Sequence, residues 1–160
     1  MLEAVDGDER SYVDIAEAIE RESADANADL RELWRRVALS LLISNTDDHL
    51  RNHGFLREST AGWRLSPVFD LNPNPGPISR RLATTIAFGS PDSIETLLEV
   101  ADLFRLRRDE ARQALAEVAE ATSHWREVAT ANELTPAAIE EMEPAFVHEL
   151  AEAAHQLAVA

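Results

Sequence analysis

The eleven residues SNTDDHLRNHG, at positions 44–54, concentrate side chains that can bind a cation or move a proton. Asp47 and Asn52 stand five positions apart with His49 between them, and Asp70 follows eighteen residues after Asn52. Phosphoryl transfer from ATP needs an aspartate that accepts or orients the proton of the substrate hydroxyl. It also needs an asparagine and a second aspartate that hold Mg²⁺ against the phosphates. Protein kinases place the first two groups in one loop and the third after a short hairpin. The order and spacing therefore predict Mg²⁺- and ATP-dependent phosphoryl transfer.

The sequence strings around these residues resemble a known kinase family. Residues 47–52 read DDHLRN and fit the D-x-H-x-x-N catalytic loop of atypical and phosphoinositide kinases. Together with the strings SNTDDHLRNHGF, GWRLSPVFDLNPNP and SYVDIAEAI, the chain resembles the C-terminal region of HipA-type kinases, the toxins of bacterial toxin–antitoxin modules. The resemblance covers essentially the whole chain, and its specific motifs run from Asn45 to Pro75.

This resemblance implies a role for each motif residue. Asp47 would be the catalytic base, and Asn52 and Asp70 the Mg²⁺ ligands. Apart from the resemblance, His49 is expected to support the site by bracing the loop through hydrogen bonds from within, with direct chemistry as the alternative. Asp48 occupies a free position of the motif and receives no role. Asp70 is followed by Leu-Asn rather than by the Phe-Gly of ordinary protein kinases, so their activation-loop behaviour is not implied.

The resemblance also implies a reaction and partners. The expected enzyme is a protein serine/threonine kinase that uses ATP and Mg²⁺, and aminoacyl-tRNA synthetases are among the targets of its family. An antitoxin protein that binds DNA is an expected partner, so contact with DNA would be indirect.

The elements that must position the motif can be predicted from apolar spacing and turn signals. Residues 11–23 favour a helix with a capping box of Ser11 and Asp14, and a stripe of apolar residues favours a second helix capped by Asn27 and ending near Ser44. The strings GFLRE and WRLSPVF, separated by STAG, predict a hairpin. The proline-rich residues 71–79 predict an irregular loop on the substrate side, and LATTIAF predicts one more short strand.

From Pro91 onward the pattern is helical. Asp109 is expected to cap one helix, and Thr135 with Pro136 to begin another. A last helix is expected to carry Phe146, Val147, Leu150, Ala154 and Leu157 on its apolar face. The three tryptophans are expected in the core, at positions 34, 63 and 125.

The predicted fold class is mainly α with a small β-hairpin (α+β), a helical C-lobe of the protein-kinase-like or phosphoinositide-kinase-like fold. Residues 1–160 would form one domain, with a catalytic loop at 44–54, a hairpin and metal-aspartate segment at 54–75, and a helical region at 91–160.

Composition limits the classes of function. The 160 residues are 45% hydrophobic and 28% charged, which is typical of a globular domain. A formal charge of −15 repels nucleic acids and anionic membranes, so we expect direct binding to neither. The chain has no cysteine, no long apolar run and an acidic start, which favour the cytoplasm. An arginine cluster at positions 105, 107, 108 and 112 favours ion pairs with nearby acids, with a docking site for an acidic partner as the alternative.

The chain also lacks groups that a complete kinase needs. It contains no lysine, and its five glycines are scattered, so neither a phosphate-pairing lysine nor a glycine-rich phosphate loop is present. We therefore expect that the N-terminal nucleotide lobe is absent and that the fragment alone does not turn over ATP.

Three other interpretations remain open. The two adjacent aspartates, Asp47 and Asp48, could be polar residues of a solvated helix end. His49 and His53, four apart, could bind zinc with Asp47 or Asp70 in a metal-dependent hydrolase, although no H-E-x-x-H pattern accompanies them. His53 is otherwise expected to be structural or exposed. Finally, a lobe without its nucleotide partner could be a non-catalytic module that binds an antitoxin or a target.

Overall fold

The computed structural model describes residues 10–60, 62–76 and 81–158. It is mainly helical with a small two-stranded antiparallel sheet, as expected for an α+β chain. The elements are α1 (Tyr12–Glu22), α2 (Ala26–Leu42), β1 (Phe55–Ser59), β2 (Gly62–Leu65), α3 (Ile94–Glu99), α4 (Arg108–Ser123), α5 (Trp125–Ala131), α6 (Pro136–Phe146) and α7 (Glu149–Ala158). Two short 3-10 helices lie at Leu50–Asn52 and Ala101–Phe104.

Helix α2 is the central element, in contact with α1, α3, α4 and α7. Its apolar stripe is buried, and the indole of Trp34 is fully enclosed and donates from Nε1 to the Leu97 carbonyl at 3.2 Å. The side chain of Asp25 accepts from the Ala28 amide at 3.1 Å and caps the helix. The prediction of Asn27 as the cap is therefore wrong by two residues. Aspartate caps a helix as well as asparagine does, and Asp25 comes first along the chain, so the helix begins earlier than predicted.

Helix α1 begins with the predicted capping box, in which the Asp14 carboxylate accepts from both the amide and the hydroxyl of Ser11 at 2.8 Å. Its first residue, Tyr12, donates its amide to the Thr85 carbonyl at 2.9 Å. The strand predicted at LATTIAF is wrong. That segment is instead held by the Asp92 carboxylate, which accepts from the amides of Leu82 (3.1 Å) and Ile86 (3.0 Å).

The predicted hairpin is confirmed, and its second strand ends at Leu65, earlier than expected. A buried carboxylate on α2, Asp29, fastens it to the helical body. Asp29 accepts from the Leu65 amide at 2.9 Å, from Ser23 Oγ at 2.7 Å and from Arg64 Nε at 3.0 Å. Burial opposes the charge, but the bonds from Arg64, Ser23 and the Leu65 amide outweigh it and lower the pKa of Asp29.

Helices occupy most of residues 94–158, as expected for this part of the chain, and they are shorter than expected. Residues 159 and 160 lie outside the described residues. Thr135 caps α6 with Pro136 in its first turn, as predicted, whereas α4 begins after Arg107 and not at Asp109. The expected last helix is divided at Val147, which is 47% exposed. Helix α7 returns to pack on α4 and α2.

Helix α5 packs against α6 and α4, and it has no buried residue. Trp125 is half-buried rather than in the core, and its ring stacks on Phe146 with centroids 4.5 Å apart. Trp63 is likewise only half-buried, in the hairpin.

Two arginines of the cluster, Arg105 and Arg107, make ion pairs of the expected kind. Arg105 pairs with Glu20, and Arg107 lies 3.1 Å from Asp109 and 3.4 Å from Glu110. No helix in the described part of the chain combines the length and hydropathy that a bilayer span requires. Residues 77–79 of the proline-rich segment, like residues 1–9, lie outside the described residues.

Candidate functional site

The end of helix α2 sets the direction of the motif loop. Ser44 takes a left-handed backbone (φ 54°), the amide of Asn45 bonds to the Ser40 carbonyl at 2.8 Å, and the Ser44 amide bonds to the Leu41 carbonyl at 3.4 Å. These two bonds form a Schellman motif, with serine in the position that glycine usually occupies. The chain therefore turns sharply away from the helix axis where the polar residues begin.

The two adjacent aspartates of the loop have opposite environments. Asp47 is exposed, whereas Asp48 is only 4% exposed. The solvated-helix-end interpretation therefore fails for Asp48, since a buried carboxylate requires donors. Asp47 alone of the pair offers a carboxylate to a ligand in solution.

Asp48 is the centre of a buried polar cluster that joins three segments of the chain. Its Oδ2 accepts from Tyr12 Oη at 2.5 Å and from Ser40 Oγ at 3.1 Å. His53 Nε2 lies 3.2 Å from Oδ1, within ion-pair distance but not in the direction of a hydrogen bond. The His53 side chain is only 4% exposed and meets the Tyr12 ring edge-on, so its role is structural, one of the two interpretations considered for it.

The pKa values of this cluster follow from burial and proximity. Burial, and then the charge of Asp48, raise the pKa of Tyr12 well above its ordinary value. Burial would also raise the pKa of Asp48, but the contact with His53 and the bonds from Tyr12 and Ser40 outweigh it and lower that pKa. Asp48 is therefore charged at neutral pH.

Asn52 and His49 lie within the same loop. Asn52 is buried and donates from Nδ2 to the carbonyl of Asp47 at 3.3 Å, so the expected base and one expected cation ligand are adjacent. The His49 ring is half-buried, and its Nδ1 is enclosed without a hydrogen-bond partner. A brace through a hydrogen bond of that atom is therefore not formed.

Asp70 is exposed and has a left-handed backbone (φ 58°), which aspartate tolerates better than most residues. Its Oδ1 accepts from Asn72 Nδ2 at 2.9 Å. The Asn72 amide in turn donates to Asn45 Oδ1 at 3.4 Å, and Asn74 Nδ2 donates to Thr46 Oγ1 at 2.8 Å. The segment that carries Asp70 is therefore joined to the two residues that precede Asp47.

The oxygen atoms of Asn52 and Asp70 are of the type that Mg²⁺ binds, usually through one or two protein ligands completed by water and phosphate oxygens. Within residues 10–60, 62–76 and 81–158, no three side chains of His, Asp or Glu are grouped so that they could hold a metal together. The zinc site considered for His49 and His53 therefore has no third ligand in the described chain.

Spacing and resemblance gave no role to Asp48, although its buried carboxylate is the centre of this polar cluster. One signal was present: Ser40 and Tyr12 are polar-tipped residues on the apolar faces of their helices, and such groups need a buried partner. Nothing in the sequence identified Asp48 rather than Asp47 as that partner.

Comparisons with known proteins agree with the motif. Residues 2–125 match the family described as HipA-like C-terminal domain. A protein of Haemophilus influenzae (strain ATCC 51907 / DSM 11121 / KW20 / Rd) named "Putative kinase" is 35% identical over 61 residues, 38% of this chain. The aligned part spans only 18% of that relative's length. No solved structure matches the chain. Because the family match covers more than half of its residues, the chain belongs to the HipA-like C-terminal domain family.

Proposed function

We propose that the chain is the C-terminal catalytic lobe of a kinase that transfers the γ-phosphoryl group of ATP to a serine or threonine hydroxyl of a protein. The observation that carries the proposal is the exposed carboxylate of Asp47 beside Asn52, in a loop hydrogen-bonded to the segment of Asp70. Family membership and the name of the Haemophilus relative support the reaction class.

In this proposal each side chain has one task. The Asp47 carboxylate accepts or orients the proton of the substrate hydroxyl, for which it must be reachable and charged. The oxygens of Asn52 and Asp70 hold Mg²⁺, which neutralises charge on the phosphates when Mg-ATP is bound. His49, half-buried within the same loop, is the supporting residue.

Asp47, Asn52 and Asp70 are only part of the active site that a complete kinase needs. With no lysine and no glycine-rich loop among the 160 residues, they supply the base and the metal ligands but not the cradle for the phosphates. We expect no steady ATP turnover by the isolated chain.

The partners follow from the family resemblance. A protein substrate, with aminoacyl-tRNA synthetases as the first class to test, and an antitoxin protein are proposed. The net charge of −15 supports protein contacts over direct contact with DNA.

A binding-only module is the second candidate, and the same absence of lysine and clustered glycines favours it. The two candidates differ at the metal site, because an association module has no need to bind a divalent cation at Asn52 and Asp70. Metal binding therefore separates them even in a chain that does not turn over ATP.

Mn²⁺, a paramagnetic substitute for Mg²⁺, provides the test. In NMR spectra of the chain, Mn²⁺ should first broaden signals of Asn52, Asp70 and their neighbours. Asp70→Ala should remove this selectivity, whereas Asp109→Ala, at a solvent-facing aspartate on α4 (side chain 69% exposed), should preserve it. The control matters because so acidic a surface attracts divalent cations everywhere. Broadening spread evenly over the acidic surface would refute the metal site.

A second measurement addresses catalysis. In a form of the protein that phosphorylates a substrate, Asp47→Asn should lower the rate by about 10²–10⁴-fold with the fold retained. Undiminished transfer by that variant would show that Asp47 is not the base.

A further inference from the structure

Asp48 lies beside the proposed catalytic base and does not face the substrate side, since it is almost fully buried. Its carboxylate nevertheless accepts hydroxyl donors from helices α1 and α2 and faces a histidine at the end of the motif loop. A buried charge with this many contacts fixes the backbone of its own residue, and Asp47 shares that peptide unit. The backbone from which the exposed Asp47 carboxylate projects is therefore held from inside the molecule.

The network extends beyond Asp48 as an unbroken path of hydrogen bonds, in which Asn72 donates both toward Asn45 and toward Asp70. Ser40 Oγ donates to Asp48 Oδ2 at 3.1 Å and accepts from Asn45 Nδ2 at 3.3 Å, which uses its single proton and one lone pair consistently. Asn45 Oδ1 then accepts a hydrogen bond from the backbone amide of Asn72 at 3.4 Å. Asn72 Nδ2 finally donates to the carboxylate of Asp70 at 2.9 Å.

Both side chains in the middle of this path are enclosed: Ser40 is 0% exposed and Asn45 is 1% exposed. Water therefore cannot replace a lost partner at low cost, and each buried polar group depends on the next. A path of this kind transmits the orientation of Asp48 to the loop of Asp70.

We infer that Asp48 is a positioning residue of this site, which through Ser40 and Asn45 fixes where Asp70 stands relative to Asp47. The inference rests on the proposed function for its purpose, because a base and a Mg²⁺ ligand must be held at a set separation for phosphoryl transfer. The hydrogen-bonded path itself is independent of catalysis and can be tested without it.

Amide hydrogen exchange of Asn72 in the 160-residue chain tests the path. Ser40→Ala removes the middle hydroxyl without touching Asn72, and should speed exchange of that amide about three- to tenfold relative to the Leu65 amide. Leu65 is a suitable reference because its amide bonds to a different buried carboxylate. Asp48→Asn should act in the same direction. Asp25→Ala, which removes only the cap of α2, should leave the ratio unchanged.

Ser40→Ala is decisive if Asp48→Asn fails to fold, because it leaves the charge of Asp48 with its tyrosine and histidine neighbours. An Asn72-to-Leu65 exchange ratio equal to that of the unaltered chain would overturn the inference. An equal rise of the ratio in Asp25→Ala would overturn it as well, since the effect would then be general destabilisation.

Mn²⁺ titration separates the inference from the proposed function. If the unaltered chain binds Mn²⁺ at Asn52 and Asp70, Ser40→Ala should weaken that affinity about tenfold, although neither ligand is altered. Unchanged affinity would overturn the positioning role. If the unaltered chain does not bind Mn²⁺ there, the proposed function fails, and the exchange ratio still decides whether the path exists.

Discussion

The adjacent aspartates Asp47 and Asp48 should respond in opposite ways to the same substitution, aspartate to asparagine. Asp47→Asn changes an exposed side chain and should alter the free energy of unfolding by about 0.5 kcal/mol or less. Asp48→Asn changes a carboxylate that is 4% exposed and accepts two hydroxyl hydrogen bonds. The first should impair function without harming the fold, and the second should harm the fold.

The size of the second effect can be estimated from the contacts. Hydrogen bonds to a charged acceptor contribute about 1.5–3 kcal/mol each and neutral ones about 0.5–1.5 kcal/mol, so two weakened bonds cost about 2 kcal/mol. In the Asp48→Asn variant the side-chain NH₂ group must face either the two hydroxyls or His53. A poorly paired buried group of this kind lowers the free energy of unfolding by up to about 2 kcal/mol more. The expected loss is about 2–4 kcal/mol, or roughly 5–15 °C in Tm for a chain of this size.

Urea denaturation followed by tryptophan fluorescence provides the assay, because Trp34 is fully enclosed and its emission should report unfolding of the core. Both variants should keep the denaturant slope of the unaltered chain, and only Asp48→Asn should shift the midpoint strongly. If Asp47→Asn proved the more destabilising of the two, the assignment of the inward and outward carboxylates would be wrong.

Three further results are expected. The pKa of Asp29 is lower in the folded chain than in the unfolded chain, where it is about 3.9. The contribution of its charge to the free energy of unfolding is therefore fully present above that pH and is lost as the pH falls through the folded pKa. Asp29→Asn should flatten the loss of stability below about pH 4. Urea denaturation at several pH values measures this, and an equally steep fall in the free energy of unfolding of the variant below about pH 4 would contradict it. The bonds from the Arg107 amide and from Arg31 lower the pKa of Glu110 to about 2, which NMR titration should detect. Arg31→Gln should raise that pKa, and an unaltered titration would count against the contact. Thr135→Ala should cost α6 about 1 kcal/mol, seen as faster amide exchange within that helix; unchanged exchange there would mean that the cap does not hold the helix.

Local signals in the sequence were sufficient for several elements. The capping box of α1 and the Thr135 cap of α6 were predicted because a cap depends on a few residues in fixed order. The hairpin was predicted because alternation and a glycine-containing turn also act over short distances. The α+β class followed from these elements.

What the sequence did not reveal depends on contacts between distant residues. Asp48 meets Tyr12, 36 positions earlier, and no periodic pattern governs which side chain of an irregular loop points inward. Asp92 likewise organises the segment before it by accepting amides, which converts an apparent strand into a turn. The motif residues at 47, 52 and 70 were chosen by spacing and resemblance, and their roles stay predictions until metal binding and transfer are measured.

The pair of helices α5 and α6 has a consequence for how the chain tolerates change. Both ends of residues 125–146 are fixed, since α4 precedes them and α7 returns to α4 and α2, yet within them only Ala145 is fully enclosed. The family match also ends at residue 125, where this excursion begins. Insertions or replacements inside it should therefore be accepted, whereas deletion of everything after residue 125 would also remove α7 and expose the apolar surface of α4. Helix α7 thus covers the apolar surface of α4 and α2, whereas α5 and α6 form the part of the chain in which changes should be tolerated.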